Sequence, residues 1–107
     1  MPRGHRVTRG RELRLLVQRG KRSKTSHLDV FASGSPVVHP RIGVVVPRYK
    51  HSAVERNRVK RRLREILRRE VLPRLRGAGL ALDVVVRARR EAYGASYAEL
   101  EQELVEW

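Results

Sequence analysis

Apolar positions recur along this chain with two different periods, and each change of period marks a new element. Leu13, Leu16 and Val17 share one face at helical spacing, which predicts a short helix over residues 11–19, with Thr8 as a cap and Gly20 as a stop. Lys21, Arg22 and Lys24 have no apolar period and read as a basic connector. Leu28, Val30 and Ala32 then alternate with His27, Asp29 and Phe31, a strand over 27–32. Ile42 with Val44, Val45 and Val46 forms a nearly continuous β-branched run over 41–46, which reads as a central strand covered on both faces. Pro47 ends it, because proline cannot donate to a ladder. Helical spacing returns at Val59, Leu63, Ile66 and Leu67, the seam of a long helix over 52–70 that opens with Ser52 and Glu55 spaced as a capping box. It continues toward Val71, where Pro73 starts a last turn or breaks the helix and Gly77 and Gly79 close the segment. A valine-rich strand follows over 80–87. Ser96 and Glu99 form a second capping box, opening a terminal helix with Leu100, Leu104 and Trp107 on its apolar side.

The resulting order is α-β-β-(β)-α-β-α, the bracketed strand being an optional short one around Val37 and Val38. About four strands and three helices predict an α+β sandwich, a small mixed sheet with helices packed on it. At 107 residues the chain is read as one domain spanning 1–107, with 1–7 as a flexible N-terminal segment.

Charge changes this picture of an ordinary small domain. The formal net charge is +14, from 25 Lys and Arg against 11 Asp and Glu. Self-repulsion of that size calls for an anionic partner. The excess is concentrated: residues 1–24 and 50–76 each carry +8, whereas 77–107 carry −3. A directed basic surface is therefore expected rather than general solubilising charge. There is no cysteine, so neither a disulfide framework nor a thiolate zinc site is available. No apolar run approaches a membrane span and no signal-peptide core is present, so no membrane association is expected and the chain is read as cytoplasmic.

Candidate chemistry falls on the long helix. Asn57, Lys60, Arg61, Arg64 and Arg68 lie together on one side of it, and Arg58, Arg62 and Arg69 flank the seam. Arg56 is directed beside Val59 and Leu63. Arginine outnumbers lysine seven to one from Glu55 to Glu70, and bases outnumber acids eight to three, so most of these cations lack an intrahelical partner. A guanidinium binds phosphate oxygens in pairs and stacks on bases, which points to nucleic acid. RNA is favoured because the basic helix sits between strands rather than in a helix-turn-helix. The four histidines show no metal-ligand spacing. His39 and His51 are the remaining candidates for a general acid and base, with no orienting carboxylate expected beside them. The residues alone leave two other readings open, a non-enzymatic RNA-binding protein such as a ribosomal or assembly factor, and a stand-alone basic ribonuclease.

The run from Ala53 to Arg64, AVERNRVKRRLR, resembles the signature of the bacterial ribonuclease P protein subunit. The resemblance extends to Arg9–Leu13 and Arg19–Lys21 at the first helix, Arg41–Val46 before the motif and Leu82–Val86 after it. It implies an endonuclease that processes precursor tRNA by removing its 5′ leader, with catalytic Mg²⁺ held mainly by an RNA subunit and not by this chain. The implied partners are that catalytic RNA and the precursor tRNA; no protein partner is implied. Arg56, Asn57, Arg58, Lys60, Arg61, Arg64 and Arg68 are the expected RNA-binding residues, and no catalytic residue is expected. The leader cleft would lie between the first helix and the sheet, with Arg11, Leu13, Val17, Phe31 and Arg48. The family places phenylalanines where Leu13 and Val17 stand here, so these two either line the cleft or only fill the core. A left-handed crossover between parallel strands is also implied, against the usual hand.

Overall fold

The computed structural model describes residues 10–107, without the side chains of Arg11 and Glu12. The expected cap at Thr8, the segment 1–7 and the side chain of Arg11 thus lie outside the described residues. Helix α1 runs Gly10–Arg19. It ends where the Gly20 N–H donates to the Leu16 carbonyl at 2.7 Å. A Cβ on Gly20 would stand 2.6 Å from that carbonyl oxygen, so only glycine lets the chain turn this tightly into the sheet.

The residues expected to be a connector form strand β1, Lys21–Lys24, paired antiparallel with β2, Leu28–Gly34. Strand β1 shows no apolar alternation because it is an outer strand with mostly exposed side chains. Charge there deters further pairing and fills no core. Strand β3, Arg41–Val45, lies parallel to β4, Leu82–Ala88, and β4 is antiparallel to β2. The sheet order is β1-β2-β4-β3. The expected central position of β3 is therefore wrong: it is an edge strand. Its valines report that both faces are covered, since Val44 packs in the main core and Val45 against the opposite cluster, but not how many strands bond to it. The optional strand at Val37 and Val38 does not form, and Val38 is 97% exposed. The fourth strand is β1 instead.

Helix α2, Ala53–Ile66, runs on through a π-helical stretch, Leu67–Val71, into α3, Leu72–Gly77. Pro73, in the first turn of α3, has no N–H to return to the ladder, and the wider π spacing comes just before it. A 3₁₀ turn at Arg90–Gly94, which no sequence signal predicted, follows β4. Helix α4, Tyr97–Glu106, opens with the expected Ser96–Glu99 capping box. With α2 to α3 counted as one, three helices and a four-stranded mixed sheet give the expected α+β fold. Among the described residues no helix is long and apolar enough to cross a membrane.

Strand alternation sends neighbouring side chains into two separate cores. On one face, Leu28, Val30, Ile42, Val84 and Val86 pack beneath Val59, Leu63, Ile66, Leu67, Leu100 and Leu104. The predicted seam of the long helix is thus buried as expected. On the other face, Leu16 of α1 seals Phe31 and Val85, with Leu13, Val17 and Val45 packed around them.

Candidate nucleic-acid interface

The start of α2 is fixed by short-range hydrogen bonds. Ser52 Oγ accepts from the Glu55 N–H, Glu55 Oε1 accepts from the Ser52 N–H, and Glu55 Oε2 lies 2.8 Å from His51 Nδ1. The His51 hydrogen bond, followed by those of Ser52, lowers the Glu55 carboxyl to about 2. The absence of an orienting carboxylate beside His51 is therefore corrected, since Glu55 sits four residues on. His39 Nδ1 instead lies 3.2 Å from the Pro40 carbonyl oxygen.

Upstream, Tyr49 and Lys50 hold left-handed backbone angles, φ 48° and 70°, without being glycine. Such a turn persists only where its surroundings fix it. Here the Tyr49 hydroxyl donates to the Ala88 carbonyl at 3.3 Å and the Tyr93 hydroxyl to the Pro47 carbonyl at 2.6 Å. The His51 and Tyr93 rings stack at 3.8 Å. This pinned turn presents Arg48 to solvent.

Asn57, Lys60, Arg61 and Arg64, at i, i+3, i+4 and i+7, line a shallow depression of about 270 Å³. Partial burial, then Arg64 and Arg56, push the Lys60 ammonium below its ordinary value. An anion placed there would relieve that crowding. Arg58 is exposed and is not among the residues that line the depression. Nor is Arg68, which donates to Glu65 at 2.7 Å. Arg56 turns away: its Nε donates to the Val46 carbonyl at 2.8 Å, tying the first turn of α2 to the end of β3.

On the opposite face, a groove of about 230 Å³ between α1 and the sheet is lined by Leu13, Arg14, Val17, Gln18, Val45 and Arg87. Register explains its floor. Lys24, Asp29, Arg87 and Val45 form one row across the four strands, and Arg22, Phe31, Val85 and Gly43 form the next. Buried Asp29 accepts from Arg22 and Arg87, each at 3.1 Å. Burial raises its carboxyl, but the hydrogen bonds from Arg87 and Arg22 outweigh that and hold it below the ordinary value. Of the residues expected in a cleft, Leu13 and Val17 do stand in its wall. Phe31 is 2% exposed, beneath the floor, with the Arg87 guanidinium 5.1 Å above its ring. Arg48 is exposed beyond the end of β3 and is not among the lining residues.

Arg14, Gln18, Val45 and Arg87 were missed by the sequence reading. Arg14 and Gln18 follow Leu13 and Val17 by one residue each, so the helical repeat held the signal. Arg87 had none, because its place depends on pairing with Asp29, 58 residues away. Val45 at the end of β3 lines the groove, and the next carbonyl, of Val46, anchors Arg56 and with it the first turn of α2.

The Ribonuclease P family model matches residues 1–107. The ribonuclease P protein component of Methylococcus capsulatus is 39% identical over 101 residues, covering 92% of this chain and 74% of that one. The RNase P protein of Staphylococcus aureus superposes with a TM-score of 0.78 at 22% identity, covering 95% of this chain and 90% of that one. That of Thermotoga maritima gives 0.76 at 25% identity, covering 94% and 92%. The family model spans the whole sequence and the fold agrees, and the chain belongs to the ribonuclease P protein family.

Proposed function

We propose that this chain is the protein subunit of a ribonuclease P holoenzyme, a single RNA-binding domain that grips two RNAs at once. The α2 face, through Asn57, Arg58, Lys60, Arg61 and Arg64, binds the catalytic RNA. The groove beneath α1 takes the single-stranded 5′ leader of precursor tRNA. The observation that carries this reading is the pair of distinct surfaces, a cationic depression on α2 lined by Asn57, Lys60, Arg61 and Arg64 and a groove between α1 and the sheet that holds Arg14 and Arg87.

The chain's own contribution is binding and orientation. Cations on α2 neutralise RNA phosphates, and the groove holds the leader so that the bond to be cut is fixed relative to the catalytic RNA. Mg²⁺ supplies activation of water and charge stabilisation when bound. The protein offers it a poor donor set: among the described residues there is no cluster of three or more His, Asp or Glu that could hold a metal. Asp29 and Asp83 are both engaged by arginines. In this proposal the metal is held by the RNA.

The test is cleavage of precursor tRNA by a bacterial catalytic RNA over a Mg²⁺ titration, with and without the protein. The proposal expects the protein to lower the Mg²⁺ required. An unchanged Mg²⁺ requirement, with the protein instead recovered on ribosomal particles, would favour a non-enzymatic RNA-binding role.

A further inference from the structure

The groove poses a chemical problem for a single-stranded ligand. Unpaired bases are held by stacking on flat π surfaces, yet the groove wall is aliphatic at Leu13, Val17 and Val45. The aromatic ring nearest to it, Phe31, is sealed at 2% exposure. What lies over that ring is a guanidinium. Arg87 places its central carbon 5.1 Å from the Phe31 centroid, donates one Nη to Asp29 at 3.1 Å, and leaves 32% of its side chain open.

We infer that Arg87 is the base-stacking platform of this groove: Asp29 anchors it from the side, Phe31 supports it from below, and one unpaired leader base rests on its open face. This rests on the reading of the groove as the leader site and specifies what that site recognises. The argument has three parts. A guanidinium is planar and delocalised, and it stacks on bases where an ammonium cannot. Its position is set by the sheet, since Asp29 is its cross-strand partner and Phe31 its diagonal neighbour on the same face. It is also ordered before the ligand arrives. Arg14, the other guanidinium in the groove, is exposed and has no hydrogen-bond partner among the described residues, so it would have to be immobilised on binding, whereas Arg87 is already held. With the wall aliphatic at Leu13, Val17 and Val45, the stacking surface lies on the floor, at Arg87.

The experiment uses the holoenzyme reconstituted with a bacterial catalytic RNA and precursor tRNAs carrying a single abasic site at each leader position in turn. Affinity is read by equilibrium binding. In the wild type one position should cost about five-fold or more when its base is removed. Arg87→Lys keeps a cation for Asp29 and for phosphate but removes the plane; it should abolish that single penalty and leave binding of leaderless tRNA unchanged. Arg87→Met, which leaves Asp29 still paired with Arg22, should do the same if the lysine variant folds poorly. If both variants retain the abasic penalty, or if no position shows one, the platform is refuted while a preference for leader-bearing tRNA still supports the groove reading. If the wild type shows no such preference, the groove reading itself fails.

Discussion

Arg56, Arg61 and Arg68 differ chiefly in what stands opposite their guanidinium groups. Arg56 is committed to the Val46 carbonyl, Arg68 to Glu65, and Arg61 to nothing among the described residues. A phosphate therefore gains most from Arg61 and its neighbour Arg64, and less from Arg68, where a carboxylate must be displaced or tolerated. Arg61→Ala or Arg64→Ala should weaken binding to the catalytic RNA and reduce the slope of log affinity against log salt by ~0.7–0.9 for each phosphate released. Arg68→Ala should change that slope less, and a salt titration of the dissociation constant compares the three. Asp29 carries a different expectation. Its carboxyl is held below the ordinary value by Arg87 and Arg22 despite burial. It thus stabilises the fold at pH above the unfolded value of ~3.9, and this contribution is lost as pH falls through the depressed folded value. Asp29→Asn should flatten the acid limb of a denaturation-midpoint profile below about pH 4. A profile parallel to the wild type would contradict the Asp29 network.

Among the elements, α2 has a dry side and a charged side that should separate in mutants. Leu63 is fully buried under the sheet, so Leu63→Ala should cost ~2–5 kcal/mol of stability. A thermal midpoint that barely moves would show the orientation of α2 to be wrong. At the end of α1, Gly20→Ala forces a Cβ to within 2.6 Å of the Leu16 carbonyl oxygen. A loss of ~1 kcal/mol or more is expected, read from urea unfolding. The elements that could be read from the sequence were those whose pattern is set by their own burial or caps: the seam at Val59, Leu63 and Ile66, and the boxes at Ser52 and Ser96. Those that could not were set by something outside their own residues. Strand β1 exists because β2 offers it an edge, β3 is outermost because β4 bonds it on one side only, and the π stretch answers to Pro73 downstream. The site divides the same way. The face of Asn57, Lys60, Arg61 and Arg64 follows from helical spacing, whereas the groove floor follows from a register between strands far apart in sequence.

At the scale of the molecule, the sheet separates two surfaces. One is cationic and suited to a phosphate-dense partner; the other is part apolar, part guanidinium, and suited to an unpaired strand. The central claim is that both are occupied together, so that the protein adds recognition of the leader to the holoenzyme. The most direct test is the ratio of affinities for leader-bearing precursor and leaderless mature tRNA, measured at equilibrium for the catalytic RNA alone and for the holoenzyme. The account predicts that adding this protein raises the ratio and that shortening the leader to its last nucleotide removes the gain. An equal ratio with and without the protein would contradict it.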